Sequence, residues 1–230
     1  MDLMQRRRMI IASTELPPQY QRVEYIQGTG TQFFYTNINS RLPMSCVAEV
    51  AMTDPNVGTL VGARSSSSST FFFLLGITNG VFAANTYYNN YFSIRAGSGS
   101  AGYTPGSDYN STSSWVRAEP NLVANERHVV HTSIDSNGTQ SVYVDGYAPS
   151  TLTKTKPTTG YPIGVFRTAS IDTVRKGKIY RVKLYTGSTL LANLIPCYRK
   201  SDNTAGMYDC ANKVFYTNQG TDTFILGRAV

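Results

Sequence analysis

The sequence is short of charge. Its 230 residues hold 21 Lys and Arg and 14 Asp and Glu, 15% of the chain, where an ordinary soluble domain approaches about a quarter. That excludes a charged disordered tail and a Lys/Glu-rich helical bundle. Long apolar runs are missing as well. The longest, Phe71–Ile77, falls far below the roughly 18 residues a membrane-spanning helix needs, so no membrane insertion is expected. Cysteine is scarce: Cys46, Cys197 and Cys210 make an odd count with no C-x-x-C pair. A disulfide framework is excluded; buried reduced thiols are expected, with a single disulfide as the alternative. No secretory leader is evident. Arg6, Arg7 and Arg8 could open one, but only Met9–Ala12 follows, against about 7–15 apolar residues required. Residues 1–15 read instead as an arm for attachment or oligomerisation, with Arg6–Arg8 docking on acidic protein surface; a frayed terminus is the alternative.

What is present favours strands. Hydrophobic residues make up 41%, with 16 Tyr and 10 Phe, and Tyr, Phe, Thr and Val suit a pleated, half-buried surface. No stretch shows a convincing 3.6-residue apolar period. Short strand-like runs recur between turn signals: Arg22–Gln27, Gln32–Ile38, Ser45–Met52, Gly58–Ala63, Thr70–Thr78, Gly80–Asn85, Tyr91–Arg95, His128–Asp135, Gln140–Asp145, Tyr161–Phe166, Lys178–Tyr185, Thr189–Pro196, Gly206–Asp209, Val214–Tyr216 and Phe224–Gly227. Ser136-Asn137-Gly138-Thr139 between two of them reads as a hairpin turn. In Lys178–Tyr185, alternation puts Tyr180, Val182 and Leu184 on a core face, and Ile179, Arg181, Lys183 and Tyr185 on a partly basic one. Ser65–Ser69 reads as a loop tip and Ser98–Ser114 as a long loop. The expected architecture is all-β, an antiparallel sandwich or barrel over residues 16–230.

The net charge of +7 is concentrated. Residues 151–200 hold ten basic residues against Asp172 alone, so the remainder is slightly acidic. Such a region can meet an anionic polymer or an acidic partner, and can equally be a solvated face. No nucleic-acid partner is expected, since a reading helix, paired Cys/His and an RNP-type strand are all lacking.

Catalytic patterns are mostly missing. Sugar-bond hydrolysis needs a carboxylate pair, and a strand would present one at i and i+2 or i+4. No two of the 14 acids lie closer than five residues, although acids on different strands could still converge. His128 and His131 are three apart on an expected strand, hence on opposite faces and unable to share one metal without a bulge. Gly97–Gly102 matches G-x-G-x-x-G, but Tyr103-Thr104-Pro105 follows where a dinucleotide site must open a helix. Asp135-Ser136-Asn137-Gly138 lacks the later ligands of a calcium loop. No cofactor or metal is expected, and no enzyme activity.

One binding candidate remains. Thr86–Phe92 gathers Tyr87, Tyr88, Asn89, Asn90 and Tyr91, and Tyr103 and Tyr109 in the Gly/Ser loop could join them. Aromatic faces stack on sugars, and Asn fixes hydroxyls by paired donor and acceptor. The alternative is strand tyrosines with solvated hydroxyls.

Three stretches carry a family likeness. Leu16–Ile26 followed by Gly28–Gln32, the pair of runs within His128–Gly146 ending in Y-V-D-G, and Gly177–Tyr185 with Asn193–Lys200 and Gly206–Gly227 together resemble the concanavalin A-like (laminin-G-like) lectin/glucanase domains of bacteriophage and prophage structural proteins. The resemblance covers most of residues 16–228 and is thinnest over about 54–120. It implies a jelly-roll sandwich whose first and last strands lie near each other. It also implies a module that binds glycans or is exposed on a virion: a tail or capsid fibre or decoration. The partners would be other virion proteins, further copies of itself and host cell-surface glycans. Synthesis in the host cytoplasm and release by lysis would account for both the missing leader and the unpaired cysteines. The superfamily's enzymes carry a paired-carboxylate strand that this sequence lacks, and no calcium ligand set matches. A free glycan-binding adhesin of a bacterial surface system and a divergent glycosidase are the competing readings.

Overall fold

The computed structural model describes residues 16–53, 58–64, 71–78, 81–87, 115–117, 125–146, 150–153, 159–167 and 176–230. The described residues form antiparallel β-structure with no helix. The strands are β1 (Tyr20–Arg22), β2 (Ile26–Thr29), β3 (Phe34–Asn39), β4 (Met44–Met52), β5 (Gly58–Arg64), β6 (Phe71–Thr78), β7 (Val81–Tyr87), β8 (Trp115–Arg117), β9 (Arg127–Ile134), β10 (Thr139–Val144), β11 (Ser150–Thr153), β12 (Pro162–Val165), β13 (Lys176–Thr186), β14 (Thr189–Arg199), β15 (Ala205–Asp209), β16 (Val214–Thr217) and β17 (Ile225–Leu226).

Two sheets face each other. The larger runs β11-β10-β9-β4-β13-β14-β15-β16, with β1 on β14 and β2 on β13 and β17; the smaller runs β3-β12-β5-β6-β7-β8. Period-two alternation decides which side chains go inward. On β4, Met44, Cys46, Ala48 and Val50 are buried while Ser45, Val47 and Glu49 are not. On β9, His128, Val130, Thr132 and Ile134 are buried. They meet Phe34, Leu60, Ile163 and Val165 of the smaller sheet in one core. Phe34 stacks on Tyr216 at 5.6 Å with the rings 6° from parallel, and Phe224 closes on Phe34 and Phe166.

The long β13–β14 hairpin splits, and the N-terminal segment fills the opening. Thr186 to Val182 pair with Thr189 to Leu194; beyond that, Ile179–Lys176 take β2 as partner and Cys197–Arg199 take β1. The last strand then pairs with β2, Ile225 opposite Gln27, and Val23 bridges Ala229. The N-terminal segment and the last strand therefore lie side by side. Leu16 and Tyr20 cover a second cluster on the outer side of the sheet, with Ile195, Cys197, Tyr208, Cys210 and Phe215.

The free edge of β3 is closed by side chains. The amides of Phe33, Tyr35 and Asn37 donate to Asn218 Oδ1, Gln219 Oε1 and the Tyr216 hydroxyl, at 3.0, 3.2 and 3.2 Å. An open edge is a template for another chain; here alternate amides on one side of the strand are already bonded.

The expected runs fall on strands to within a few residues, with three differences. Arg22–Gln27 is split into the ends of β1 and β2, because the chain passes from one arm of the hairpin to the other. β8 and β11 are too short for an alternation to show. And β13 carries a bulge between Ile179 and Arg181, which buries Ile179 with Val182 and Leu184 and turns Tyr180 outward beside Arg181. The run Tyr91–Arg95 lies outside the described residues.

Candidate functional site

Strand direction gives the sandwich two ends. β3 finishes at Asn39 and β4 starts at Met44 at one end, where Thr186 Oγ1 donates to the Pro43 carbonyl at 2.8 Å. The β9–β10, β13–β14 and β15–β16 turns are at that end, and so is the finish of β7 at Tyr87, opposite Phe71 at the start of β6. Of the aromatic-amide candidates, only Tyr87 is in a described strand. Tyr88, Asn89, Asn90, Tyr91, Tyr103 and Tyr109 lie outside the described residues, as do Arg6, Arg7, Arg8, Ser65–Ser69, Gly97–Gly102 and Ser98–Ser114.

Seven of the eight described carboxylates are held in local contacts, and the eighth, Glu126, is exposed. Asp209, fully buried, accepts from the amides of Asn193, Ala211 and Asn212 and from Asn212 Nδ2. Asp145 Oδ2 is 2.7 Å from His128 Nδ1, and its Oδ1 accepts from the Val129 amide at 2.7 Å. Glu49 meets Arg127 at 2.7 Å, Asp202 meets Arg199 at 2.6 Å, and Glu24 meets Arg228 at 3.4 Å. Asp222 accepts from Thr31 Oγ1. The Thr139 amide, with that of Asn137, holds the Asp135 carboxyl below its usual range. Those two bonds and Gly138 at φ 89° make 135–139 a hairpin turn. The side-chain bond from Arg199 similarly holds Asp202 low.

His128 points into the core and His131 to the outer face, as their odd spacing requires. Burial lowers the His131 imidazole pKa. Among the described residues no three His, Cys, Asp or Glu side chains group in a way that could hold a metal ion. The three thiols are free and buried.

The second polar feature is the outer face of the larger sheet, where the basic region meets two tyrosines. The Lys178 ammonium sits 4.6 Å from the centre of the Tyr25 ring, and the Arg127 guanidinium 4.2 Å from that of Tyr180. The two rings meet edge to face at 5.5 Å. Alternation alone assigned Tyr180 to the core. The signal that would have corrected it is the run Ile179-Tyr180-Arg181-Val182, in which two polar-tipped residues separate apolar ones, the spacing a bulge produces.

No protein-family model and no curated protein sequence matches the chain. Solved structures do. Domains LG4-5 of the mouse laminin α1 chain align with a TM-score of 0.50 and 17% identity, over 74% of this chain and 44% of that one. A protein of Bacteroides ovatus ATCC 8483, described as a candidate carbohydrate-binding protein, aligns with a TM-score of 0.52 and 12% identity, over 91% and 61%. A heptameric SAP-like pentraxin of Limulus polyphemus aligns with a TM-score of 0.52 and 10% identity, over 94% and 98%. This chain thus spans less than half of the laminin fragment and 61% of the Bacteroides protein. All three share the concanavalin A-like, laminin-G-type sandwich, and at such identities the likeness establishes the fold alone.

Proposed function

We propose that the chain is a non-enzymatic surface protein of a bacteriophage particle, on tail or capsid, whose lectin-like sandwich binds glycans at the end where β7 stops at Tyr87. The observation that carries the binding half is the sandwich itself, together with the commitment of seven of the eight described carboxylates to backbone amides, cations or hydroxyls. A glycosidase needs two acids facing one bond; a lectin needs aromatic faces and amides, which Tyr87–Tyr91 would supply. The virion half is supported by the sequence resemblance over residues 16–228. On this reading the protein is made in the host cytoplasm and joins other virion proteins and copies of itself through residues 1–15.

Mass spectrometry of purified particles from lysed hosts tests the virion half, and absence of the protein from them overturns it. Glycan-array binding by the full chain, lost in a Tyr87→Ala, Tyr88→Ala double variant, is expected for the binding half; binding that survives removes the site. Polysaccharide turnover abolished by substituting a single Asp or Glu would overturn the non-enzymatic assignment. The likeness to the Bacteroides protein favours a second reading, a glycan-binding adhesin of a bacterial surface system. The chain would then be found on cells and not on particles.

A further inference from the structure

We propose that the outer face of the larger sheet, centred on Lys178, Arg181 and Lys183 of β13, binds an anionic polysaccharide bearing sulfate or phosphate groups. The proposal rests on the glycan-binding reading only for the class of polymer; the face is a different one from the end at Tyr87.

Charge is the first argument. β13 directs Lys178, Arg181 and Lys183 to the outside, because the bulge restores the alternation after Ile179. Arg127 joins them from β9, two strands away across β4. The carboxylates of Glu49 and Glu24 are committed, Glu49 to Arg127 and Glu24 to Arg228. Among the described residues, Lys178, Arg181 and Lys183 have no carboxylate within ion-pair distance. These three are among the ten basic residues of the segment 151–200, which holds the chain's excess of positive charge. Burial and the neighbouring Arg181 both lower the pKa of the Lys183 ammonium; a bound anion would relieve that strain.

Preorganisation is the second. Arg181 Nε donates to Asn193 Oδ1 at 3.0 Å, and Asn193 is itself buried and fixed through its backbone amide to Asp209. One edge of the guanidinium is thereby tied down, while its terminal nitrogens keep the planar fork that suits sulfate or phosphate oxygens. Arg181 and Lys183, two residues apart on one strand face, stand about 7 Å apart along the strand, a separation a charged polymer chain can follow.

The neighbouring row is made of hydroxyls. Tyr185 lies opposite Ser45, Ser45 opposite Ser133, and Ser133 opposite Ser141, all half-buried on the same face. Such a row offers donors and acceptors to sugar hydroxyls. Nucleic acid fits less well. Single strands need open aromatic faces for base stacking, whereas Tyr25 and Tyr180 each carry a cation over the ring. A flat sheet face also offers nothing to enter a duplex groove.

The test is titration of the full chain with heparin as the sulfated probe, beside dextran and single-stranded and duplex DNA. Lys178→Gln with Lys183→Gln is expected to weaken heparin binding by about tenfold or more, the scale of losing charge-assisted contacts. Glu49→Gln, which frees Arg127, is expected to strengthen it, a gain that impaired folding could not produce. Unchanged heparin affinity in both variants overturns the proposal. So does single-stranded DNA binding as tightly as heparin, which would make the face a general polyanion site. The Tyr87→Ala, Tyr88→Ala variant should keep its heparin affinity, so failure at the loop end and failure here are read separately.

Discussion

Gln32 donates from Nε2 to the carbonyl of Thr223 at 3.2 Å, across 191 residues of sequence, while its Oε1 accepts from the Thr29 amide at 2.7 Å. The residue is 1% exposed. One side chain thus fastens the turn after β2 to the segment entering β17. The opening Gly28-Thr29-Gly30-Thr31-Gln32 is explained by this clasp: Gly30 takes φ 110°, and the turn brings Gln32 back under Thr29.

Gln32→Ala is therefore expected to remove the hydrogen bonds to the Thr29 amide and the Thr223 carbonyl and to empty the buried site of the carboxamide. The cost should be about 2 kcal/mol, roughly 1 for each bond lost. For a chain of this length that lowers the melting temperature by roughly 4–8 °C. Thermal denaturation checks it, with Gln19→Ala, at an exposed position, as a control that should barely move.

Asp209 makes a parallel clasp at the opposite end. Its Oδ1 bonds the Asn193 amide at 2.9 Å across the β14–β15 pair, and Oδ2 takes Asn212 Nδ2 at 2.6 Å. Asn212 Nδ2 also reaches the Leu191 carbonyl at 2.6 Å. Asp209→Ala strips four donors of their acceptor at once, the buried Asn193 amide among them, and should cost about 3 kcal/mol. Asp209→Asn, which keeps one acceptor, should fall between it and the wild type. Urea midpoints with unchanged slopes would show that stability alone has moved.

These two clasps show where the sequence was legible and where it was not. Alternation found nearly all the strands, because one face of each is buried and a slip by one residue would expose the core. It put His128 and His131 on opposite faces for the same reason. It could not see that Gln32 and Asp209 are structural, since both look like ordinary polar residues until distant strands supply their partners. The bulge at Tyr180 also escaped, because one inserted residue breaks the period that defines a face. At the candidate site the sequence offered composition only. Tyr87 has a described strand position, and its companions rest on the chemistry of Tyr and Asn.

The thiols give a pH prediction. Burial pushes the Cys197 thiol up to about 12 and the Cys210 thiol to about 11, from an ordinary 9.0, and raises Cys46 further. The native state holds these protons more tightly than the unfolded chain does. Their contribution to stability is therefore fully present below pH 9 and is lost as pH rises through 11 and 12. At neutral pH a thiol reagent should leave the folded protein unmodified and should titrate all three cysteines once denaturant is added. Rapid native modification would contradict the burial.

The closed edge of β3 leads to the last prediction. Asn218 and Gln219 together bond the Phe33 and Tyr35 amides through their side chains, and the Gln219 amide returns a bond to the Phe33 carbonyl at 2.8 Å. Asn218 also braces its own loop, accepting from the Gly220 amide and donating to the Thr221 and Asp222 carbonyls. Asn218→Ala with Gln219→Ala would remove both caps and loosen the loop that shields them. The Asn37 amide would keep its Tyr216 partner, so the far end of the strand should hold. Light scattering after gel filtration should then show concentration-dependent association of the double variant beyond the wild-type mass, with that mass restored by a lysine placed at Asn37, an exposed edge position. A double variant that loses stability yet keeps the mass of the wild type at every concentration would mean that the amides of β3 find water instead of a second chain.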